Sequence, residues 1–164
     1  MVDINKGISF ESYMKDKEEL KKYYEGTTLK ENSKKAVKGL KEERIVLVFT
    51  EGYCPDCTVT LPFIKRFAEE NPLIKIYIFG IKEDEDNREF LNMAVGESRI
   101  PTLLSFDKDM NPIGAYVELP NKLKDIIAKA SLEEKKSYVE KYRQGLYNNF
   151  IEEEVLDILI KDRV

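Results

Sequence analysis

The chain has 164 residues, 42% hydrophobic and 35% charged, and its 27 basic and 31 acidic side chains leave a formal net charge of −4. This length fits about one domain, and the nearly balanced charge disfavours a nucleic-acid-binding protein, which carries a basic patch. The absence of histidine and the presence of only two cysteines exclude serine–histidine and cysteine–histidine catalysis, histidine-ligated metal sites and a disulfide scaffold.

The first segment, residues 1–43, is predicted to be a helical extension. Its apolar and aromatic residues recur at helical spacing behind Ser9, a plausible N-cap, and we expect them to pack in the core: Phe10, Tyr13, Met14, Leu20 and Tyr24. Gly26-Thr27-Thr28 interrupts this pattern, and a second short helix is predicted over residues 31–41.

The middle segment, residues 44–130, alternates predicted strands and helices. The run Ile45–Phe49 is typical of a strand buried on both faces, and a helix that ends at Asn71-Pro72 follows it. Further elements are predicted in the order strand 74–79, helix 86–95 ended by Gly96, hairpin strands 102–106 and 113–117, and helix 121–130 with Leu123, Ile126 and Ile127 facing inward.

The last segment, residues 131–164, is predicted to add two helices. Ser131 and Glu134 form a capping-box pattern, and Gly145 suits the position just after a helix. Asn149 with Glu152 suggests a second cap, and Glu152-Glu153-Glu154 is interpreted as a first-turn charge cluster. The pair Tyr138 and Tyr142 is expected to serve packing.

The beginning of the sequence shows no apolar export signal, and no apolar run reaches the roughly 18–20 residues that span a bilayer. We therefore expect a cytoplasmic protein without a membrane partner. Thiols are kept reduced in that compartment, so a Cys-x-x-Cys motif there is more often catalytic or metal-binding than structural.

Both cysteines lie in Cys54-Pro55-Asp56-Cys57, directly after the first predicted strand and at the start of a helix. A helix N-terminus stabilises a thiolate, so Cys54 is the expected nucleophile. Cys57 lies three residues further on the same helical face, close enough to Cys54 to form a disulfide with it. It is therefore the expected resolving thiol.

Two motifs, Tyr53-Cys54-Pro55-Asp56-Cys57 and Ile100-Pro101-Thr102, resemble the active site of the thioredoxin superfamily. The resemblance covers roughly residues 44–130 and implies an α/β thioredoxin fold: a four-stranded mixed sheet flanked by helices, here with extra helices at both ends of one domain, residues 1–164. Strand 45–49 should pair with strand 102–106. The resemblance also implies that Pro101 is cis and faces the cysteines, and that the Ile100 backbone binds substrate.

Several positions depart from the family pattern. Tyr53 replaces the family's tryptophan, and substrate contact and packing are both plausible roles for it. Pro55 suits an early helical position, whereas the Asp56 carboxylate should oppose thiolate formation. Val48 replaces thioredoxin's buried acid, which leaves Glu51, Asp56, water or substrate groups to take the Cys57 proton. A glutamate, Glu118, takes the place of the groove glycine.

The resemblance implies a thiol–disulfide oxidoreductase that reduces disulfide-containing proteins. Its reductant would be a thioredoxin reductase or a low-molecular-weight thiol, and no bound cofactor or metal is expected. Two alternatives stay open: a non-catalytic thioredoxin-fold module that binds other proteins, and a zinc ion shared by the cysteine pairs of two chains. For residues 131–164, covering the sheet edge, dimerisation and narrowing of the site are all possible roles.

Overall fold

A computed structural model of the chain describes residues 2–161. Within these residues, a short 3₁₀ turn at Ile4–Lys6 is followed by helices α1 (Phe10–Met14), α2 (Glu18–Gly26), α3 (Glu31–Lys38), α4 (Pro55–Glu70), α5 (Glu85–Val95), α6 (Asn121–Ala128), α7 (Leu132–Arg143) and α8 (Asn148–Ile160). The strands are β1 (Arg44–Phe49), β2 (Ile74–Phe79), β3 (Thr102–Phe106) and β4 (Pro112–Val117). No helix in this range is both long and apolar enough to cross a membrane.

The four strands form one mixed sheet in the order β2-β1-β3-β4. β1 runs parallel to β2 and antiparallel to β3, and β3 pairs antiparallel with β4. The register places Ile45 opposite Phe106 and Phe49 opposite Thr102. The predicted α/β class, the strand order around β1 and the pairing of residues 45–49 with residues 102–106 are therefore confirmed.

Every residue of β1 is buried because helices cover both faces of the sheet. Val46 and Val48 belong to the larger apolar cluster, which includes α4 and the terminal helices. Ile45, Leu47 and Phe49 belong to a smaller cluster on the opposite face, which includes Leu91 of α5. Helices α1, α2, α3, α7 and α8 thus contribute to the same core as the sheet.

The N-terminal helical pattern is broken at a place that the sequence did not indicate. Instead of one helix up to Gly26, α1 ends at Met14 and α2 begins at Glu18. The Lys17 ammonium donates to the Tyr13 carbonyl at 2.9 Å, and the Lys17 N–H donates to the Met14 carbonyl at 3.0 Å. These bonds close the end of α1, so that α1 lies against β2 while α2 lies against α4.

Helix α6 and the start of α8 also differ from the predictions. Leu123 is buried and Ile127 half-buried, but Ile126 is 36% exposed, so the predicted inward face was one residue too wide. Asn149 lies inside α8 and not at its N-cap, because the helix already begins at Asn148. The caps at Ser9 and Ser131 and the left-handed backbone of Gly96 and Gly145 are confirmed.

The three consecutive glutamates of α8 lie beyond its first turn, because the helix already begins at Asn148, so the predicted first-turn charge cluster was wrong. Their carboxylates contact other helices instead. Glu152 is buried and accepts hydrogen bonds from the Ser33 hydroxyl and the Lys30 N–H at the start of α3. Glu154 accepts from the Asn121 N–H at the start of α6. Only the Glu153 carboxylate lies in an exposed ion pair, with Lys122. Most of the predicted charge cluster therefore bonds to the N-termini of other helices.

Candidate active site

Cys54 and Cys57 lie together where β1 passes into α4. Cys54 is the N-cap of α4, and its Sγ accepts a hydrogen bond from the Cys57 N–H at 3.2 Å. Pro55 is the first residue of the helix, where its lack of an N–H costs nothing. Both cysteines are free thiols, 8% and 2% exposed respectively. The local geometry is thus a sulfur cap on a helix N-terminus, with the second sulfur one turn inside.

The two thiols differ in their electrostatics. Hydrogen bonds from the Cys57 thiol and N–H lower the pKa of Cys54, although burial and the Asp56 charge act in the opposite direction. Burial raises the pKa of Cys57 far above its usual range, and its hydrogen bond to Cys54 adds to that effect, whereas the Thr50 hydroxyl opposes it. The arrangement therefore favours a thiolate on Cys54 and a protonated thiol on Cys57.

The second predicted motif lies directly opposite the cysteines. The Ile100–Pro101 peptide bond is cis, as expected, and the Cys54 Sγ lies 4.0 Å from the Ile100 carbonyl oxygen. The Pro101 carbonyl accepts from the Glu118 N–H at 2.7 Å, which ties this turn to the end of β4. Pro101 is buried and Ile100 half-buried, so part of Ile100 remains accessible beside the nucleophile.

The rim around Cys54 is accessible. Tyr53 is 65% exposed, and the Lys82 ammonium lies 5.6 Å from the centre of its ring. Pro55 is exposed on the other side of the cysteine. This exposure favours the substrate-contact role of Tyr53 over the packing role, because a side chain in the core would be covered.

The Glu51 carboxylate is engaged away from the sulfurs. Its Oε1 accepts hydrogen bonds from the backbone N–H groups of Ile81 and Lys82, at 2.7 and 2.6 Å. These two bonds join the loop that precedes Cys54 to the loop after β2. The Glu51 Oε1 that would accept a proton in the predicted transfer therefore already accepts two backbone hydrogen bonds that hold these loops together.

Asp56 is paired with a residue that the sequence did not single out. The Arg143 Nε, at the end of α7, donates to the Asp56 Oδ1 at 2.9 Å. The Asp56 side chain is only 17% exposed, and its hydrogen bond raises the pKa of Arg143. The Tyr23 hydroxyl of α2 donates to the Arg143 carbonyl at 2.7 Å and fixes the end of α7. The guanidinium offsets the negative charge that was expected to oppose thiolate formation at Cys54.

Comparison with known proteins agrees with this geometry. The family model described as Thioredoxin matches residues 7–142 of the chain. The chain belongs to the thioredoxin family. The match extends beyond the 44–130 core into α1, α2, α3 and α7, so these helices belong to the part of the chain that the family describes. Family membership and the close cysteine pair support a thiol-redox role.

Two solved structures share the thioredoxin-like fold. A protein of unknown function, PA1234, from Pseudomonas aeruginosa superposes with a TM-score of 0.76 at 21% identity, over 95% of this chain and 93% of that one. An HIV epitope-scaffold gives a TM-score of 0.75 at 20% identity, over 95% and 94%. The search of curated proteins finds no match. At these identities the two structures show the fold alone. Because they cover 95% of this chain, the shared fold includes the terminal helices.

Glu118 departs from the thioredoxin pattern in its side chain but has a backbone conformation that suits glycine. It keeps a left-handed conformation, with φ of 66°, that glycine adopts without strain. Its side chain approaches Arg99 at 3.6 Å, and burial raises its pKa. The nearby Asp56 charge acts in the same direction. A half-buried carboxylate therefore lies beside the cis-proline turn.

Sequence reasoning missed three polar groups near the cysteines: Arg143 and the hydroxyls of Thr50 and Tyr13. Tyr13 is buried in the core, as predicted, but its hydroxyl also lies 3.1 Å from the Thr50 hydroxyl at the end of β1. Tyr13 and Arg143 come from outside the 44–130 core, whereas Thr50 lies within it. The aromatic spacing that predicted packing for Tyr13 gives no information about a hydroxyl partner 37 residues away.

Proposed function

We propose that the chain is a thiol–disulfide oxidoreductase that reduces disulfides in other proteins. One observation carries this proposal: the N-cap thiol, with a lowered pKa, stands 4.0 Å from the carbonyl oxygen before a cis-proline, next to a second thiol with a raised pKa. An attacking thiolate and a retained second thiol are what dithiol–disulfide exchange requires.

The proposed reaction has two exchange steps. The Cys54 thiolate attacks one sulfur of a substrate disulfide, forms a mixed disulfide and releases the other sulfur as a thiolate. Cys57 then loses its proton and attacks the Cys54 sulfur, which breaks the bond to the substrate. Cys54 and Cys57 end as a disulfide, and the substrate ends as a dithiol. Two electrons have passed from the protein to the substrate.

The groups around Cys54 support roles for substrate binding. The Ile100 backbone lies beside the Cys54 sulfur, where an extended substrate segment would bind it, and the exposed Tyr53 ring borders the same surface. A flavin-dependent thioredoxin reductase or a low-molecular-weight thiol would return the cysteines to the dithiol state. A reducing compartment such as the cytoplasm would favour this direction.

Trapping tests the order of the two attacks. Cys57→Ser should accumulate mixed disulfides with protein substrates, because the resolving thiol is missing, and dithiothreitol should release them. Cys54→Ser is the matched control and should trap none. Both variants should lose reductase-coupled reduction of a protein disulfide, which the wild type should catalyse.

Two results would contradict the proposal. If Cys57→Ser traps nothing while the wild type turns over, Cys54 is not the nucleophile. If the wild type does not reduce disulfides and Cys54 titrates like a free cysteine, the chain is better described as a thioredoxin-fold binding module. Tight retention of one zinc ion per two chains would instead favour the shared metal site.

A further inference from the structure

The second exchange step requires a route for the proton of Cys57, which is 2% exposed and strongly favours its protonated form. The two carboxylates beside the cysteines in the sequence already have partners. Glu51 accepts from two backbone N–H groups, and Asp56 accepts from Arg143. The position in β1 where the family pattern has an acid is Val48, which is fully buried in the core. Other polar groups around Cys57 are therefore candidates for moving this proton.

Two hydroxyls extend from Cys57 toward the N-terminal helices. Thr50 is 1% exposed, and its hydroxyl lowers the pKa of the Cys57 thiol. The Thr50 Oγ1 lies 3.1 Å from the Tyr13 hydroxyl oxygen, and either atom can be the donor. Cys57, Thr50 and Tyr13 thus follow one another as three groups that can each donate and accept a hydrogen bond.

A cavity adjoins both ends of this set. It has a volume of about 370 Å³ and is lined by residues that include Tyr13, Lys17, Gly52, Cys57 and Thr58. This volume far exceeds that of one water molecule, and the lining is polar enough to hold water. The cavity gives water a place from which to accept a proton at Tyr13.

The Lys17 ammonium fixes the tyrosine at this cavity. It donates to the Tyr13 carbonyl at 2.9 Å and lies 4.1 Å from the centre of the Tyr13 ring. Burial raises the pKa of Tyr13 to about 12, so its hydroxyl stays protonated near neutral pH and is free to accept one proton while donating another. Several titratable and charged groups surround Tyr13 and Cys57. Cys54 and Asp56 lie on α4, Glu51 lies before it, and Tyr142 lies on α7. Asp16, Lys17, Glu18 and Glu19, at and before the start of α2, line the same cavity as Tyr13 and Cys57.

We propose that the hydroxyls of Thr50 and Tyr13 relay the Cys57 proton to water as Cys57 attacks the mixed disulfide; this inference rests on the proposed function. The Cys57 S–H proton moves to the Thr50 oxygen, the Thr50 proton moves to the Tyr13 oxygen, and the Tyr13 proton moves to water. Meanwhile the Cys57–Cys54 bond forms and the Cys54–substrate bond breaks. The substrate leaves as a thiolate, and the released proton balances its charge. Tyr13 acts through Thr50 and is a positioning residue.

Ellman's reagent separates the two steps in stopped-flow absorbance. Attack by Cys54 releases one thionitrobenzoate, and attack by Cys57 on the mixed disulfide releases the second. At pH 7, Tyr13→Phe and Thr50→Val should slow the second release at least about tenfold, toward the range of general acid–base effects, and change the first less than about twofold. The loss should shrink toward unity at pH 10, where hydroxide can deprotonate Cys57 directly.

Two control variants separate a relay from a packing effect. Thr50→Ser keeps the hydroxyl and should resolve close to the wild-type rate. Tyr24→Phe removes a tyrosine hydroxyl that bonds to Glu69, away from the cysteines, and should leave both releases unchanged. The relay would be overturned if the second release in Tyr13→Phe and Thr50→Val is as fast as in the wild type. It would also be overturned if that release slows by the same factor at pH 7 and at pH 10. If the wild type releases no second thionitrobenzoate, the proposed function itself fails.

Discussion

Glu152 joins the two terminal additions, and its removal tests how strongly they are coupled. Its side chain lies just beyond the first turn of α8 and is 4% exposed. One carboxylate oxygen, Oε2, accepts from the Ser33 hydroxyl at 2.6 Å and from the Lys30 N–H at 3.1 Å. Glu152→Ala would therefore leave a buried hydroxyl and the first turn of α3 without their acceptor.

The expected loss follows from these two bonds. A hydrogen bond to a charged group contributes about 1.5–3 kcal/mol, and burial protects both bonds from solvent. Because one oxygen makes both bonds, their contributions are not independent, and we expect the free energy of unfolding to fall by about 3 kcal/mol. For a domain of this size, that corresponds to a decrease in Tm of about 6–12 °C.

Urea unfolding followed by circular dichroism measures this loss, and the next residue supplies the control. The Glu153 carboxylate lies 2.8 Å from the Lys122 ammonium, but their side chains are 56% and 66% exposed. Glu153→Ala should cost less than about 0.5 kcal/mol. Equal losses for the two variants, with unchanged m-values, would show that the buried carboxylate does not couple α8 to α3.

Two further predictions concern titration. Arg143→Gln should raise the pKa of Cys54 and slow the first thionitrobenzoate release at neutral pH, because the Asp56 charge loses its partner. Asp56→Asn should lower the pKa of Cys54 and speed that release. Thiolate absorbance at 240 nm measures the pKa of Cys54 in both variants, and values equal to that of the wild type would contradict the electrostatic role of the pair. The Tyr13 pKa rises from 10.0 to about 12 on folding, so its contribution to stability is complete below pH 10 and is lost as the pH rises toward 12. Between pH 10 and pH 12 the free energy of unfolding, measured in urea, should therefore fall by about 2–3 kcal/mol more for the wild type than for Tyr13→Phe. If the free energies of unfolding of the two proteins change in parallel with pH, this contribution is excluded.

The sheet and the cysteine site could be predicted because both depend on local patterns. The apolar run Ile45–Phe49 has the composition of a doubly buried strand, and Gly96 and Ser131 mark helix ends through their own backbone and side-chain chemistry. The cis bond before Pro101 followed from the family resemblance. Each of these features depends on a few neighbouring residues or on one recognised motif.

The features that could not be predicted depend on residues far apart in the chain. Asp56 and Arg143 are 87 positions apart, and Glu152 and Ser33 are 119 apart. Charged residues make up 35% of the sequence, so many such pairs are conceivable and spacing does not distinguish among them. The break after Met14 was missed for a similar reason, because it depends on where α1 and α2 find their packing partners.

The positions of Tyr13 and Arg143 give the terminal helices a relation to the cysteines that the sequence left open. Helix α1 brings a hydroxyl to Thr50 behind Cys57, and α7 brings a guanidinium to Asp56 between the two cysteines. One group lies on the route proposed for the proton of Cys57, and the other offsets the charge that opposes the Cys54 thiolate. On this reasoning a substitution of Arg143 on α7 alters Cys54 and therefore the first thionitrobenzoate release. A substitution of Tyr13 on α1 alters Cys57 and therefore the second release.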